Sequence, residues 1–176
     1  MIFTETKLKG AFVIDLEKRS DERGFFARTY CADEFSKHGL KTNMPQSNMS
    51  LSKQKHTIRG MHFQVDGAEE AKLIRCTKGS ILDVIIDIRK DSATYCEHIF
   101  VELTEENHRM LYVPEGFAHG FITLTDNVEV SYQVSQFYSP GKEKGIRYND
   151  PLFGINWPTS NPIISDKDGV HPDFIK

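Results

Sequence analysis

One short run, Arg59-Gly60-Met61-His62-Phe63-Gln64, sets an imidazole between apolar neighbours with a guanidinium three residues before it. Lys72 follows on the next strand-like run. A general base needs a rigid element, an ordered neighbourhood and a nearby cation, and His62 is the residue here that fits. On a strand, His62 and Gln64 face one way and Met61 and Phe63 the other. One face then packs and the other lines a polar cavity. Arg59 and His62 differ in parity. A bulge at Gly60 would bring them to one face, but alternation alone does not decide it. Three further clusters accompany this run. Arg23 sits in a turn before a strand, His119 follows a Pro-Glu-Gly turn, and Tyr132 and Tyr138 lie on and just after the last β run. Taken singly, each has a structural explanation. Arg23 and Arg59 would be surface ion-pair partners, Tyr132 a core tyrosine, Lys72 a solvated cation and Asp168 a tail carboxylate.

The elements that must position these residues are mostly strands. Residues 1–16 alternate and read as one early strand with a bulge at Gly10. Ser20–Gly24 reads as a turn and Phe25–Tyr30 as a strand. The best helix runs from Cys31 to His38 and closes at Gly39. Seven strands follow at 47–52, 56–64, 71–77, 81–88, 98–103, 109–113 and 119–124, and an eighth at 128–136. Ile81–Ile88 is the most apolar and reads as central. Many short strands with tight turns indicate an all-β sandwich or barrel. Beyond Tyr138 the chain is irregular, and a tail this patterned is expected to pack back across the rest. With 176 residues the chain suits one domain spanning 1–176.

Composition narrows the partners. Lys and Arg number 22 against 25 Asp and Glu, so no global field recruits nucleic acid or an anionic membrane surface. An anion site must come from locally placed cations. Three scattered cysteines without a CxxC pair argue against a zinc knuckle or a disulfide scaffold. The first residues lack the pattern of a signal peptide, and no apolar stretch approaches the ~20 residues of a membrane helix. A cytoplasmic protein is expected.

Pro114-Glu115-Gly116-Phe117-Ala118-His119 resembles PxGxxH, the second motif of the cupin superfamily. His62-Phe63-Gln64 followed by Glu69 resembles the first, HxH(x)4E, with Gln64 where a second metal imidazole would stand. A metal cupin using His62, Glu69 and His119 is one reading that follows. Five ordered stretches then resemble the dTDP-4-dehydrorhamnose 3,5-epimerases: Asp21–Phe26, Arg59–Gln64, Ala71–Cys76, Tyr112–Phe121 and Ser165–Asp168. The resemblance spans the chain from Phe3 to the tail. It implies a cofactor-free, metal-free cupin jelly roll acting as a homodimer. The implied reaction converts dTDP-4-dehydro-6-deoxy-glucose to dTDP-4-dehydro-rhamnose, towards dTDP-L-rhamnose and cell-surface polysaccharide. The ketone at C4 makes the hydrogens on C3 and C5 removable, because the carbanion delocalises into an enolate.

The same resemblance implies roles residue by residue. His62 matches the base, an imidazole being suited to take a proton near neutral pH, and Asp168 its orienting carboxylate. Lys72 matches the cation at the enolate oxygen. Tyr132 matches the acid that returns a proton to the opposite ring face, and His119 a polar wall of the sugar pocket. Arg23 and Arg59 match diphosphate ligands, which suit forked guanidinium groups. Gln46 and Asn48 match contacts at the same end, Tyr138 and Phe26 stack on thymine, and Glu143 and Lys167 lie near the base. Arg28 departs from the family, where a Glu is common at that ligand-contacting position. Alternatives of the same or a different class are a C3- or C5-only epimerase of another dTDP-4-keto-deoxysugar, a sugar 3,4-ketoisomerase and a non-catalytic nucleotide-sugar binding module.

Overall fold

Alternating side chains and frequent turn residues carry most of the chain into strands. In the computed structural model, which describes residues 1–176, the elements are β1 (Ile2–Glu5), β2 (Phe12–Asp15), β3 (Arg19–Asp21), β4 (Gly24–Phe26), α1 (Ala32–Lys37), β5 (Gln46–Ser52), β6 (Ile58–Gln64), β7 (Lys72–Lys78), β8 (Ser80–Asp87), β9 (His98–Thr104), β10 (Met110–Val113), β11 (Phe117–Thr123), β12 (Val128–Val134), β13 (Glu143–Gly145) and α2 (Asp166–Gly169). One sheet has the order β1-β2-β10-β7-β12-β5, the other β13-β6-β11-β8-β9, and β3 and β4 form a separate hairpin. Every strand pair is antiparallel. The all-β jelly-roll expectation holds. No helix is long and apolar enough to cross a membrane.

Alternation explains how one interior serves two purposes. On β12, Val128 and Val130 are buried in the core between the sheets, and Tyr132 follows on the same face. On β7, Cys76 and Ile74 join that core and Lys72 continues the row. On β8, Ile81 and Ile85 face inward with Asp83 between them, while Val84 and Ile86 face outward. The outward row is apolar because the tail covers it: Ile146 and Phe153 pack there with Met61 and Ala118. This is why residues 81–88 are apolar on both faces. A third cluster, built on Phe35 of α1 with Leu73, Met110 and Tyr112, covers part of the six-stranded sheet.

Three local expectations change. Residues 1–16 form a hairpin rather than one bulged strand. Gly10 (φ +88) sits in the turn, where its N–H donates to the Glu5 carboxylate at 2.9 Å. That turn reverses the chain and sends Leu8 and Ala11, both fully buried, into the core. The strand expected over 25–30 stops at Phe26, and the preceding turn is the tip of the β3–β4 hairpin. The short strand β13 pairs with β6 and has too few residues for a visible period.

The bulge at Gly60 is present. His62 pairs with His119 and Arg59 with Phe121, so β6 spends one residue more than β11 over this interval. Arg59 and His62 therefore reach the same side despite opposite parity. The Gly60–Met61 peptide is cis. The strands nearly touch here: a Cβ on Gly60 (φ +131) would lie 2.5 Å from Gly120 Cα. A Cβ on Gly120 would lie 2.8 Å from Arg59 O. Neither glycine tolerates a side chain without separating β6 from β11. Gly60→Ala is expected to lower unfolding free energy by about 2 kcal/mol or more, as overpacking does. Chemical denaturation of the purified variant checks this, and a loss within ~0.5 kcal/mol, the range of a neutral surface change, would contradict it.

Candidate active site

At the end of the sandwich away from the valine-rich core, the two sheets enclose a cavity of about 600 Å³. Its walls come from both sheets. The five-stranded sheet contributes Arg59, His62 and Gln64 from β6 and His119 from β11. The six-stranded sheet contributes Gln46, Asn48 and Ser50 from β5, Lys72 from β7 and Tyr132 from β12. Tyr138, Glu143, Ser165, Lys167 and Asp168 close it from the segment after β12 and the tail.

His62 is held from behind. Its Nε2 lies 2.8 Å from Asp168 Oδ1, and the other carboxylate oxygen accepts the Gly60 N–H at 3.2 Å. The tail carries Asp168 into place through α2, where the Ser165 hydroxyl accepts the Asp168 N–H at 3.2 Å. Burial alone would push the Asp168 carboxyl up, but the hydrogen bond and charge of His62 and the Gly60 N–H outweigh it and hold it below the usual range. An ionised Asp168 fixes a ring proton on His62 Nε2, which leaves Nδ1 with a lone pair. The ring is about a quarter exposed, enough to meet a ligand.

Lys72 is buried on the facing sheet with its Nζ 3.2 Å from Glu70 Oε1. The adjacent Gln64 is wholly engaged. Its amide nitrogen donates to Ala68 O and Glu70 Oε2, both at 3.0 Å, and its oxygen accepts the Ser139 N–H at 3.0 Å. Gln46 Oε1 likewise accepts the Tyr138 N–H at 3.1 Å and fixes where that ring stands. Arg59 spans the mouth: its Nε donates to the Ser52 hydroxyl and one terminal nitrogen to Leu51 O, both at 3.0 Å. Lys167 pairs with Glu143 at the rim.

A second histidine–aspartate pair lies deeper. His119 Nε2 is 2.9 and 3.1 Å from the two oxygens of fully buried Asp83. Burial pushes the Asp83 carboxyl up, and the charges of His119 and Lys72 oppose that rise. Sequence reading passed over Asp83, yet a lone carboxylate inside the most apolar run was a usable signal. Glu70 was passed over in favour of Glu69. Parity separates them, since Glu70 shares the Lys72 face whereas Glu69 is exposed. Nothing in the tail's pattern points to His171, which lies beside Asp168.

Eleven of the thirteen expected site residues line the cavity; Arg23 and Phe26 do not. Both sit on the β3–β4 hairpin, whose strands are exposed throughout. The Arg23 side chain is 89% exposed and pairs only with Asp21 beside it, and Phe26 is 72% exposed. A three-residue hairpin outside both sheets has no route to this chain's own cavity walls. The ligand set of a metal cupin, His62, Glu69 and His119, does not converge either. Glu69 points to solvent, and the Gln64 amide is turned to Ala68 O, Glu70 Oε2 and the Ser139 N–H.

The model of the dTDP-4-dehydrorhamnose 3,5-epimerase family matches residues 5–176. The dTDP-4-dehydrorhamnose 3,5-epimerase of Salmonella typhimurium is 41% identical over 98% of this chain and 94% of its own length. That of Methanothermobacter thermautotrophicus is 42% identical over 94% and 90%. The crystal structure of the Bacillus anthracis enzyme with TDP and PPi bound superposes with a TM-score of 0.95 at 39% identity, covering 98% of this chain and 99% of that one.

Tyr132 faces the cavity from the sheet opposite His62. Burial, with Glu70 and then Glu143 adding to it against Arg59, holds its phenol above the ordinary 10.0. The group therefore keeps its proton throughout the neutral range. In an ultraviolet titration, the phenol missing from Tyr132→Phe is expected to be one that ionises later than a free tyrosine. A missing transition at or below the free value would refute this.

Proposed function

The chain belongs to the dTDP-4-dehydrorhamnose 3,5-epimerase family, and from that premise we propose how its own residues invert C3 and C5 of dTDP-4-dehydro-6-deoxy-glucose. His62 Nδ1 takes the proton α to the C4 ketone, and the electron pair of the broken C–H bond moves onto the ketone oxygen. Lys72 stabilises that enolate oxygen. Tyr132 delivers its phenolic proton to the opposite face of the same carbon, and the ketone re-forms. Solvent then reprotonates Tyr132 and removes the proton from His62, and the cycle repeats at the other α carbon. The observation that carries this reading is that His62 and Tyr132 enter one cavity from opposed sheets. A single wall cannot serve both faces of a ring, and inversion needs both.

The other roles follow from position. Asp168 fixes the His62 tautomer and stabilises the imidazolium. Asp83 orients His119, which forms a polar wall for the sugar. Arg59, Gln46 and Asn48 meet the diphosphate end, and Tyr138, Glu143 and Lys167 lie towards the thymine. Residues 1–176 act together as one epimerase domain. The three free cysteines suit a reducing compartment, and we place the protein in the cytoplasm.

A homodimer accounts for the two residues outside the cavity. Arg23 and Phe26 are chemically suited to a nucleoside diphosphate yet face away from this chain's site. Met49 and Leu51 are exposed on β5 at one edge of the six-stranded sheet, and β1 forms its other edge. In a twofold pair, each hairpin would supply Arg23 and Phe26 to the other copy's cavity.

Two experiments test these readings. In D2O, turnover is expected to place deuterium at C3 and C5, and His62→Ala to abolish exchange at both carbons. Undiminished exchange in that variant removes His62 as the base, and label at only one carbon identifies a monofunctional epimerase. For the dimer, Arg23→Ala is expected to raise KM with little change in kcat. Mixing Arg23→Ala with His62→Ala chains is expected to restore activity at low substrate, because a hybrid pair holds one complete site. A monomer by light scattering, or no restoration after exchange, would overturn the shared site.

A further inference from the structure

His171 is the one imidazole beside the cavity without a task in this chemistry, and its ring is mostly covered. Its Nε2 is buried and makes no hydrogen bond, lying 3.6 Å from Asp168 Oδ1. The ring has a built seat: a Cβ on Gly145 would come within 2.2–2.4 Å of three of its atoms, so only glycine leaves it room. Gly145 pairs directly with His62 across β13 and β6. The seat therefore sets the two imidazoles side by side, with centroids 5.6 Å apart and planes at 81°.

We propose that His62, Asp168 and His171 form a binding site for a zinc-type divalent ion whose occupancy switches the base off. One donor atom from each residue lies within 4.8 Å of the other two. Around a tetrahedral zinc with bonds of about 2.0–2.2 Å, ligand atoms stand roughly 3.3–3.6 Å apart. The 3.6 Å from Asp168 Oδ1 to His171 Nε2 matches that spacing, and the 2.8 Å from His62 Nε2 to Asp168 Oδ1 widens to it as the ion replaces the hydrogen bond. Two imidazoles and one carboxylate favour zinc, cobalt or nickel over magnesium or calcium. The Gly60 N–H on Asp168 Oδ2 orients the carboxylate and leaves Oδ1 for the ion. Water fills the fourth position.

Inhibition follows from the ring's proton count. The ion takes His62 Nε2, so the proton of neutral His62 relocates to Nδ1 through solvent, with no net gain or loss. Nδ1 then has no lone pair to receive a substrate proton. The ion is thus an inhibitor and not a cofactor. This switching step rests on His62 being the base, whereas the binding step does not.

The test uses the full chain freed of metal. Titration with Co2+ is expected to raise the visible absorption of a four-coordinate ion to an end point of one equivalent per chain, reversed by Zn2+. Zn2+ is expected to inhibit epimerisation at the concentration that displaces cobalt, while Mg2+ does nothing. His171→Gln is expected to weaken both effects about tenfold or more, with metal-free turnover and thermal stability unchanged. His171→Cys, which restores a zinc donor, is expected to regain them. No cobalt band, or equal zinc inhibition of wild type and His171→Gln, would overturn the site. A cobalt band with undiminished turnover would overturn the switch. If the chain binds cobalt through these residues yet epimerises nothing, the site stands and the epimerase assignment falls.

Discussion

One carboxylate ties the two ends of this site together. Asp168 receives the Gly60 N–H on one oxygen and faces His62 Nε2 with the other, across 108 and 106 residues of chain. The bulge in β6 creates the first demand, because a bulged residue leaves the ladder to β11 and its N–H needs a partner. The imidazole creates the second, since its Nε2 lies 2.8 Å from the carboxylate. A buried carboxylate is costly unless it is hydrogen-bonded, and here both oxygens are engaged. The tail and the bulge therefore depend on each other. The site exists only once the sandwich has closed and the tail has crossed it.

That constraint reaches into the strands. β6 and β11 approach so closely that Gly60 and Gly120 face each other, and the extra residue in β6 turns Arg59 to the His62 side. The same alternating rows build the core and the cavity. Val128 and Val130 become Tyr132 two residues on, and Cys76 and Ile74 become Lys72. β7 and β12 are each apolar at one end and polar at the other, so the cavity needs no extra element. Charge in this interior is paired: Lys72 with Glu70, His119 with Asp83, His62 with Asp168. Each pair offsets part of the desolvation that burial imposes.

Much of this was legible in the sequence. The strands from β5 to β12 and α1 follow from alternation and turn chemistry, and the five ordered motifs identify the family. The residues that share the cavity by parity, such as Gln46 with Asn48 and His62 with Gln64, follow too. Other features depend on three-dimensional facts that no period encodes. The turn at Gly10 sends Leu8 inward where alternation placed it on an unbroken strand. β13 exists because β6 offers it an edge, not because three residues favour a strand. Arg23 and Phe26 sit in a correctly read motif, yet a motif does not say that its hairpin stands outside both sheets. Asp83 was readable as a charge in an apolar run, and Glu70 as a parity partner of Lys72. His171 was not readable, since its place depends on an absent side chain at Gly145.

The geometry also explains why a sandwich interior suits double inversion. Facing sheets stand about 10 Å apart. Side chains projecting from both leave between them a gap on the scale of one sugar ring. His62 rises from one wall and Tyr132 from the other, with Lys72 beside Tyr132 on the same sheet. Under the proposed mechanism, a ring held in that gap presents one face to a base and the other to an acid. C3 and C5 flank the same carbonyl, so a small shift of the ring brings either carbon between them. On the same proposal, the enolate oxygen at C4 stays near Lys72 in both positions. One base, one acid and one cation then serve two carbons, provided the nucleotide end stays anchored while the sugar moves. In the proposed homodimer, Arg59 of this chain and Arg23 of the second copy would supply that anchor.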